Sequence, residues 1–135
     1  MKATVFGGSG FIGSHIADEL TSRGHGVRIF DRLESPYLRE GQEMVVGDIL
    51  DGEAVRKAAS GSDVVYNLAG IADLDYAASR PIDTIKSNVL GNAYVLEACR
   101  KEQIKRFVYS STIYVYSSLG GFYKCSKQAQ GDELF

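Results

Sequence analysis

The sequence has few cysteines, no block of basic residues and no long apolar run. Two cysteines, Cys99 and Cys125, are too few for a disulfide scaffold, so we expect reduced thiols in a cytoplasmic protein. With a formal net charge of -2 and no basic block, binding to a nucleic-acid backbone is not expected. No run reaches the ~18 apolar residues that a membrane span requires. The start of the chain also lacks the apolar stretch and cleavage site of a signal peptide.

Glycine, in contrast, is abundant. The chain has 15 glycines among 135 residues, about 11% against a usual ~7%, which implies many turns or close backbone approaches. Hydrophobic residues make up 44% of the chain and charged residues 24%. This balance and length predict one globular domain over residues 1–135.

Short strand-like runs alternate with helical patterns along the chain. The predicted strands are Lys2–Phe6, Val27–Asp31, Glu43–Gly47, Asp63–Leu68 and Arg106–Ser110, and the predicted helices are Phe11–Arg23, Asp51–Ala59, about Pro81–Lys101, and a last one from about Phe122 to the end. Such alternation is typical of a parallel sheet with right-handed crossovers. We therefore predict an α/β fold with a doubly wound sheet of about five strands in three α/β/α layers.

The two C-terminal helices carry further information. The last helix shows no stop signal, since Glu133–Phe135 ends in mid-pattern, so we expect the chain to be the N-terminal part of something longer. The longest helix has apolar residues at intervals of three or four, which predicts one buried face. These residues are Ile82, Ile85, Val89, Ala93, Leu96 and Cys99.

Three glycines at a spacing of three follow the first strand and open the first helix. Gly7 would permit the tight turn, Gly10 would let a pyrophosphate approach the backbone, and Gly13 would let the helix lie close to the strand. The free N–H groups of the helix N-terminus would then face the phosphates. The alternative is a glycine-rich turn that binds no ligand. The position between a strand and a helix favours the phosphate loop.

Acidic residues end the next two strands. Asp31, 18 residues after Gly13 (31 − 13), can accept both ribose hydroxyls of an adenosine, and it would repel a 2′-phosphate. This predicts NAD rather than NADP, although the adjacent Arg32 is of a type that can hold that phosphate. Asp48 could take the adenine amino group, or it could simply form the turn before the helix at Asp51.

A tyrosine and a lysine stand four residues apart near the C-terminus. On a helix, Tyr123 and Lys127 would project from one face, and the lysine ammonium would favour the phenolate form that a base requires. Three hydroxyls, Ser110, Ser111 and Thr112, close the fifth strand, on the side where such sheets bind ligands. They could hold a substrate oxygen, or they could satisfy backbone groups of the turn.

No metal site is expected. His15 lies on the first predicted helix and His25 in a turn, and neither has other potential ligands at metal-binding spacing.

Taken together, these motifs resemble the extended short-chain dehydrogenase/reductase family, in its nucleotide-sugar epimerase and dehydratase branch. The likeness also includes Asn67-Leu68-Ala69-Gly70 after the fourth strand and Asn88-Val89-Leu90-Gly91-Asn92 in the long helix, and it covers nearly the whole chain. It implies a Rossmann-type domain that binds NAD. The implied cofactor contacts are Gly7, Gly10, Phe11, Ile12, Gly13, Asp31, Arg32, Asp48, Ile49, Leu68, Ala69, Gly70, Asn88, Tyr123 and Lys127.

The resemblance also implies a mechanism. NAD would oxidise a sugar hydroxyl of a nucleotide sugar, with a UDP-sugar favoured, while Tyr123 takes the proton and Lys127 and Thr112 assist. An epimerase returns the hydride to the other face of the ketone. A dehydratase needs further acid/base residues, and Ile113 and Tyr114 follow Thr112 instead. The resemblance therefore favours an epimerase, with a homodimer formed through the long helix and the final helix.

Three departures from the family pattern are visible. Thr112 and Tyr123 are only 11 positions apart (123 − 112), a shorter connection than the family usually has. Asn67 stands where the family often has histidine. The C-terminal substrate domain and the later strands are missing, so we expect the chain to bind the cofactor but to turn over poorly.

Other readings stay open at this point. A dehydratase, or an NAD(P)-dependent reductase of the same family acting on a steroid-like or flavonoid-like alcohol, would use the same motifs. A non-catalytic dinucleotide sensor would keep the glycine loop, and the presence of Thr112, Tyr123 and Lys127 argues against it.

Overall fold

A parallel five-stranded sheet forms the centre of the computed structural model, which describes residues 1–132. The predicted pattern at Glu133–Phe135 lies outside the described residues. The strands are β1 (Lys2–Phe6), β2 (Gly26–Asp31), β3 (Gln42–Val46), β4 (Val64–Asn67) and β5 (Arg106–Tyr109). Their order is β3-β2-β1-β4-β5, and all four pairs are parallel. The predicted strands are thus confirmed, with ends that shift by at most one residue.

Helices cover both faces of the sheet, which confirms the predicted α/β fold of three layers. They are α1 (Phe11–Ser22), α2 (Gly52–Ala59), α3 (Leu74–Ser79), α4 (Pro81–Ile85), α5 (Gly91–Lys101) and α6 (Gly121–Asp132), with a π-helical turn at Lys86–Leu90 and a 3-10 turn at Ile113–Tyr116. Sequence reasoning missed α3 and the 3-10 turn. Asp51 caps α2 as expected, because its carboxylate accepts the N–H groups of Glu53 and Ala54, both at 3.1 Å.

The apolar side chains form two cores, one on each face of the sheet. Helix α1 packs against one face through Ala17 and Leu20. Helices α2 and α5 cover the other face, where the Phe6 and Phe30 rings lie 5.0 Å apart and Val95 is fully buried. From β1 the chain adds β2 and then β3 on one side of β1, and it adds β4 and β5 on the other side. The winding therefore reverses between β1 and β4. Ligands of such sheets bind outside the carboxyl ends of the strands at this reversal.

The long predicted helix differs from the expectation in two ways. It is interrupted by the π-helical turn, and the predicted buried face is confirmed at Cys99 and wrong at its N-terminal end. Ile82 and Ile85 are 67% and 48% exposed, whereas Thr84, Asn88 and Asn92 are fully buried. The physical reason is that this helix faces polar groups of other segments. Asn92, for example, accepts a hydrogen bond of 2.8 Å from the Asn67 side chain.

Among residues 1–132, no helix is long and apolar enough to cross a membrane.

Candidate functional site

The turn after β1 brings the backbone of three segments into close contact. Gly7 has a φ of +77°, and its N–H donates to the Phe30 carbonyl at 2.9 Å. A Cβ on Gly13 would lie 2.2 Å from the Gly7 oxygen, so only glycine lets α1 begin this close to the turn. A Cβ on Gly10 would have only that same oxygen within 4 Å, at 3.4 Å. The outer side of the loop is therefore open to a ligand, as a phosphate loop requires.

A cleft of about 170 Å³ opens beside this turn, at the carboxyl ends of β1, β2, β3 and β4. Nine predicted cofactor contacts line it: Gly7, Gly10, Asp31, Arg32, Asp48, Ile49, Leu68, Ala69 and Gly70. Sequence reasoning missed Phe30, Gly47, Ile71 and Ser87, which line it too. Of these, only Gly47 carried a signal, because it directly follows a strand as Gly7 does.

The Asp31 carboxylate fastens the glycine loop to the end of β2. It accepts the Ser9 N–H at 3.1 Å, while the Ser9 hydroxyl donates to the Leu33 carbonyl at 2.8 Å. Each carboxylate oxygen has a second lone pair, so these contacts leave acceptor capacity for a ribose. Arg32 beside it is exposed.

Asp48 forms the turn before α2. Its side chain accepts the Leu50 N–H at 2.9 Å, and its carbonyl accepts the Asp51 N–H at 3.0 Å. It remains exposed and lines the cleft, so this turn is compatible with a ligand contact. Ile49 is 7% exposed and belongs to the core, where a Cβ on Gly91 would meet its side chain at 2.9 Å.

Six predicted contacts do not line the cleft, and two of these are Phe11 and Ile12. Their side chains are 77% and 57% exposed, and the Phe11 ring packs edge-on against His15 at 4.8 Å. Only their backbone N–H groups, in the first turn of α1, remain candidates for contact with a phosphate.

Asn88 lies behind the cleft and is fully buried. Its side-chain oxygen accepts the Ile71 N–H at 2.7 Å, and its amide donates to the Ile71 carbonyl and to the Ser126 hydroxyl, both at 2.9 Å. The Ser126 hydroxyl in turn donates to the Tyr123 carbonyl at 2.8 Å. Asn88 therefore ties the cleft wall at Ile71 to the helix that carries Tyr123 and Lys127.

Tyr123 and Lys127 project from α6 against the end of β5. The Lys127 Nζ donates to the Ser110 carbonyl at 3.0 Å and lies 5.1 Å and 6.0 Å from the ring centres of Tyr109 and Tyr123. Lys127 is only 6% exposed, and no described carboxylate pairs with it. Burial accordingly lowers the pKa of Lys127 to about 8.

The hydroxyl groups of this end of the site are available for a substrate. Tyr123 is 8% exposed, and its hydroxyl has no hydrogen-bond partner among residues 1–132. The Thr112 oxygen accepts the Tyr114 N–H at 3.4 Å, which leaves its own proton free to be donated. Each hydroxyl therefore keeps hydrogen-bonding capacity for a ligand.

The remaining reactive side chains lie elsewhere. Burial raises the pKa of the Cys99 thiol to about 11, as expected for a core residue. Cys125, on α6, is exposed. In the described part of the chain, no three His, Cys, Asp or Glu side chains are grouped as a metal site would require.

Known proteins resemble the chain over nearly its whole length. A family model described as "NAD dependent epimerase/dehydratase family" matches residues 3–131. A 3-beta-hydroxysteroid dehydrogenase from Mycolicibacterium neoaurum is 36% identical over 116 residues, covering 82% of this chain and 32% of that protein. A UDP-glucose 4-epimerase from Klebsiella pneumoniae is 31% identical over 128 residues, covering 86% of this chain and 92% of that protein.

Solved structures show the same fold. The UDP-glucose 4-epimerase of Thermus thermophilus, in complex with NAD, superposes with a TM-score of 0.91 at 28% identity, covering 99% of this chain and 50% of that one. The chain thus spans about half of that structure, and 32% and 37% of the first two curated relatives.

The buried Lys127 charge predicts a stability that rises in alkaline solution. Unfolded, this lysine has a pKa of 10.5, against about 8 when folded, so at neutral pH both states are protonated and the folded state bears the burial cost. Between pH 8 and 10.5 the unfolded state binds more protons, and stability rises by about 2 kcal/mol. We expect urea denaturation to show that the free energy of unfolding rises more between pH 7 and pH 10 in the unaltered chain than in Lys127→Met, by about this amount.

The matched control is Lys105→Met, which removes an exposed lysine and should keep the pH dependence of the unaltered chain. Equal gains for the unaltered chain and Lys127→Met would contradict the burial of a charged lysine.

Proposed function

Because the chain belongs to the NAD dependent epimerase/dehydratase family, we propose that it is the cofactor-binding part of an NAD-dependent nucleotide-sugar epimerase. One observation carries the proposal: the Lys127 ammonium is held on the Ser110 carbonyl, at the strand end next to Thr112. This contact puts Tyr123, Lys127 and Thr112 at the sheet edge where the glycine loop also lies. Relatives named UDP-glucose 4-epimerase support the choice of a UDP-sugar substrate.

The glycine loop and cleft fit the adenosine and pyrophosphate of NAD. Gly10 leaves the loop open, the first turn of α1 offers unpaired N–H groups to phosphate, and Asp31 has spare acceptors for ribose hydroxyls. Asp48 and Ile49 would flank the adenine. The part of the cofactor that extends towards α6 would contact Leu68, Ala69 and Gly70, which line the cleft.

At the other end, the residues of the chain would handle a proton. When bound, NAD would accept a hydride from the alcohol carbon of the substrate. The Tyr123 hydroxyl would take the alcohol proton and later return it, and the Thr112 hydroxyl would hydrogen-bond the same oxygen. The Lys127 ammonium, held in a buried setting, would stabilise negative charge on Tyr123 and hold the cofactor ribose.

The residues after Thr112 favour epimerisation over dehydration. Elimination of water needs a further acid and base, and Ile113 and Tyr114 occupy the next two positions. Ile113 is 80% exposed and can neither give nor take a proton.

A second candidate is a dehydrogenase or reductase of an apolar secondary alcohol. In the segment that follows Thr112, Ile113 and Leu119 are 80% and 68% exposed, so this segment offers apolar side chains to a substrate. A 3-beta-hydroxysteroid dehydrogenase is among the relatives. Such an enzyme would use the same Tyr123 and Lys127.

The wider setting of the chain forms part of the proposal. We infer a longer enzyme in which residues 1–135 are the NAD-binding domain, since the chain covers only 32% and 37% of the first two curated relatives. The two unpaired thiols, Cys99 and Cys125, suit a reducing compartment such as the cytoplasm.

We expect the chain to bind NAD in the micromolar range in calorimetric titration and NADP at least tenfold more weakly. The reason is repulsion between the Asp31 carboxylate and a 2′-phosphate. Asp31→Asn keeps the size of the side chain and removes its charge, so it should reduce the difference between the affinities for NAD and NADP. Equal affinities in the unaltered chain would mean that Arg32 outweighs Asp31.

The reaction itself is tested in the longer enzyme that contains this domain, by interconversion of UDP-glucose and UDP-galactose with NAD present. Tyr123→Phe should lower kcat by about 100-fold or more, the usual loss when a general base is removed. Oxidation of a 3β-hydroxysteroid without any UDP-sugar turnover would select the second candidate. Full activity of Tyr123→Phe on either substrate would exclude both.

The exposed face of the long helix supports a homodimer. Ile82, Ile85 and Leu90 are 67%, 48% and 43% exposed, and α6, which contacts the π-helical turn, adds Phe122 at 44%. Apolar residues at these spacings would be buried if two copies packed these helices together. We propose that the chain dimerises through this face.

Ile85→Asp should therefore shift the protein from dimer to monomer in analytical ultracentrifugation, because a buried unpaired carboxylate opposes association. Leu33→Asp is the matched control, since Leu33 is 73% exposed and lies outside this face. A monomeric unaltered chain, or loss of the dimer in both variants, would contradict the proposed interface.

A further inference from the structure

Residues 113–120 connect Thr112 to α6 and have little apolar packing of their own. Ile113, Tyr116 and Leu119 are 80%, 92% and 68% exposed, and no residue of the 3-10 turn is buried. Hydrophobic burial therefore does not set the course of this segment. Yet its course decides where Thr112 lies relative to Tyr123, since it is the chain between them.

Two side chains of α6 hold the segment by its carbonyl groups. The Lys124 ammonium donates to the Ser117 carbonyl. The Gln128 amide donates to the Val115 carbonyl at 3.1 Å. Residues 124 and 128 are one helical turn apart, so they share a face of α6 and grip the segment at two successive points.

A ring contact adds to these bonds at the level of Tyr123. The Tyr114 ring meets the Tyr123 ring edge-on at 6.2 Å. Gly120 permits this packing: its φ is +105°, and a Cβ there would lie 3.0 Å from the Lys124 Cβ and 3.2 Å from the Tyr114 Cβ. The segment thus packs against α6, in contact with Tyr123 and Lys124.

We propose that Lys124 and Gln128 are positioning residues that latch residues 113–120 onto α6 and so set Thr112 against Tyr123. The proposal rests on the proposed function, in which Thr112 and Tyr123 act on one substrate oxygen. Each latch residue follows Tyr123 or Lys127 by one position, about 100° around the helix. The latch therefore acts through the segment and not through contact with the reacting atoms.

The first measurement is hydrogen exchange of residues 113–120, followed by mass spectrometry. Lys124→Met keeps the length of the side chain and removes the donor, so the amides of the segment should exchange at least tenfold faster. Lys124→Arg keeps a donor and should restore slow exchange. Lys105→Met, at an exposed lysine, should leave the segment unchanged. Unchanged exchange in Lys124→Met would overturn the latch.

The second measurement is kcat of the longer enzyme that contains this domain, for the interconversion of UDP-glucose and UDP-galactose. Lys124→Met should lower kcat about tenfold and Gln128→Leu about threefold, with NAD affinity and KM little changed. In a Thr112→Val background the same changes should cost little, because the group that they position is already gone. Equal losses in both backgrounds would show a merely structural role and overturn the proposal.

The two proposals fail in different ways. If the longer enzyme that contains this domain turns over neither substrate, or its Tyr123→Phe variant is fully active, the proposed function fails, and the exchange result still decides whether Lys124 holds the segment. If that enzyme is active and its Lys124→Met variant equals it in kcat, only the latch fails.

Discussion

The buried side chain of Asn88 is the point on which the site depends. Its amide group satisfies both backbone groups of Ile71 and reaches the Ser126 hydroxyl. Leaving any of these buried groups unpaired would cost about 1–3 kcal/mol, so they are either all satisfied together or the region loosens as a whole. The π-helical turn that contains Asn88 is the kind of irregularity that often accompanies function. The Asn88 hydrogen bonds thus hold the loop at Ile71, the long helix and α6 in fixed positions relative to one another.

The two ends of the site are held by different physical means. The glycine loop is set by backbone sterics, because Gly13 and Gly7 nearly touch, and β1 below it is paired on both sides. The Tyr123 and Lys127 end is set by side-chain hydrogen bonds against β5, a short strand at the rim of the sheet. The first end is thus fixed by the central sheet, and the second can adjust when its polar contacts change.

The sequence predicted the features that depend on neighbours along the chain. The spacing of Gly7, Gly10 and Gly13, the acid at Asp31 and the Tyr123–Lys127 pair are local signals, and the structure brings their segments to one edge of the sheet. Which of these residues bind ligands stays a prediction. The buried face of the long helix could not be predicted, because an argument from periodicity assumes that the apolar residues of a helix face the core. Asn88 faces inward only because its partners come from segments 17 and 38 positions away.

Strand β5 pairs with β4 alone in the described part of the chain, and this leaves one row of its N–H and C=O groups without a neighbouring strand. Such an edge invites the addition of a further strand. Here the edge is only four residues long, and the exposed Lys105 and Arg106 stand at its start. Two copies that paired these strands in parallel would bring the cations together, and the cations would repel each other. The β5 edge therefore disfavours parallel pairing with a second copy, while it stays open to a strand of complementary charge.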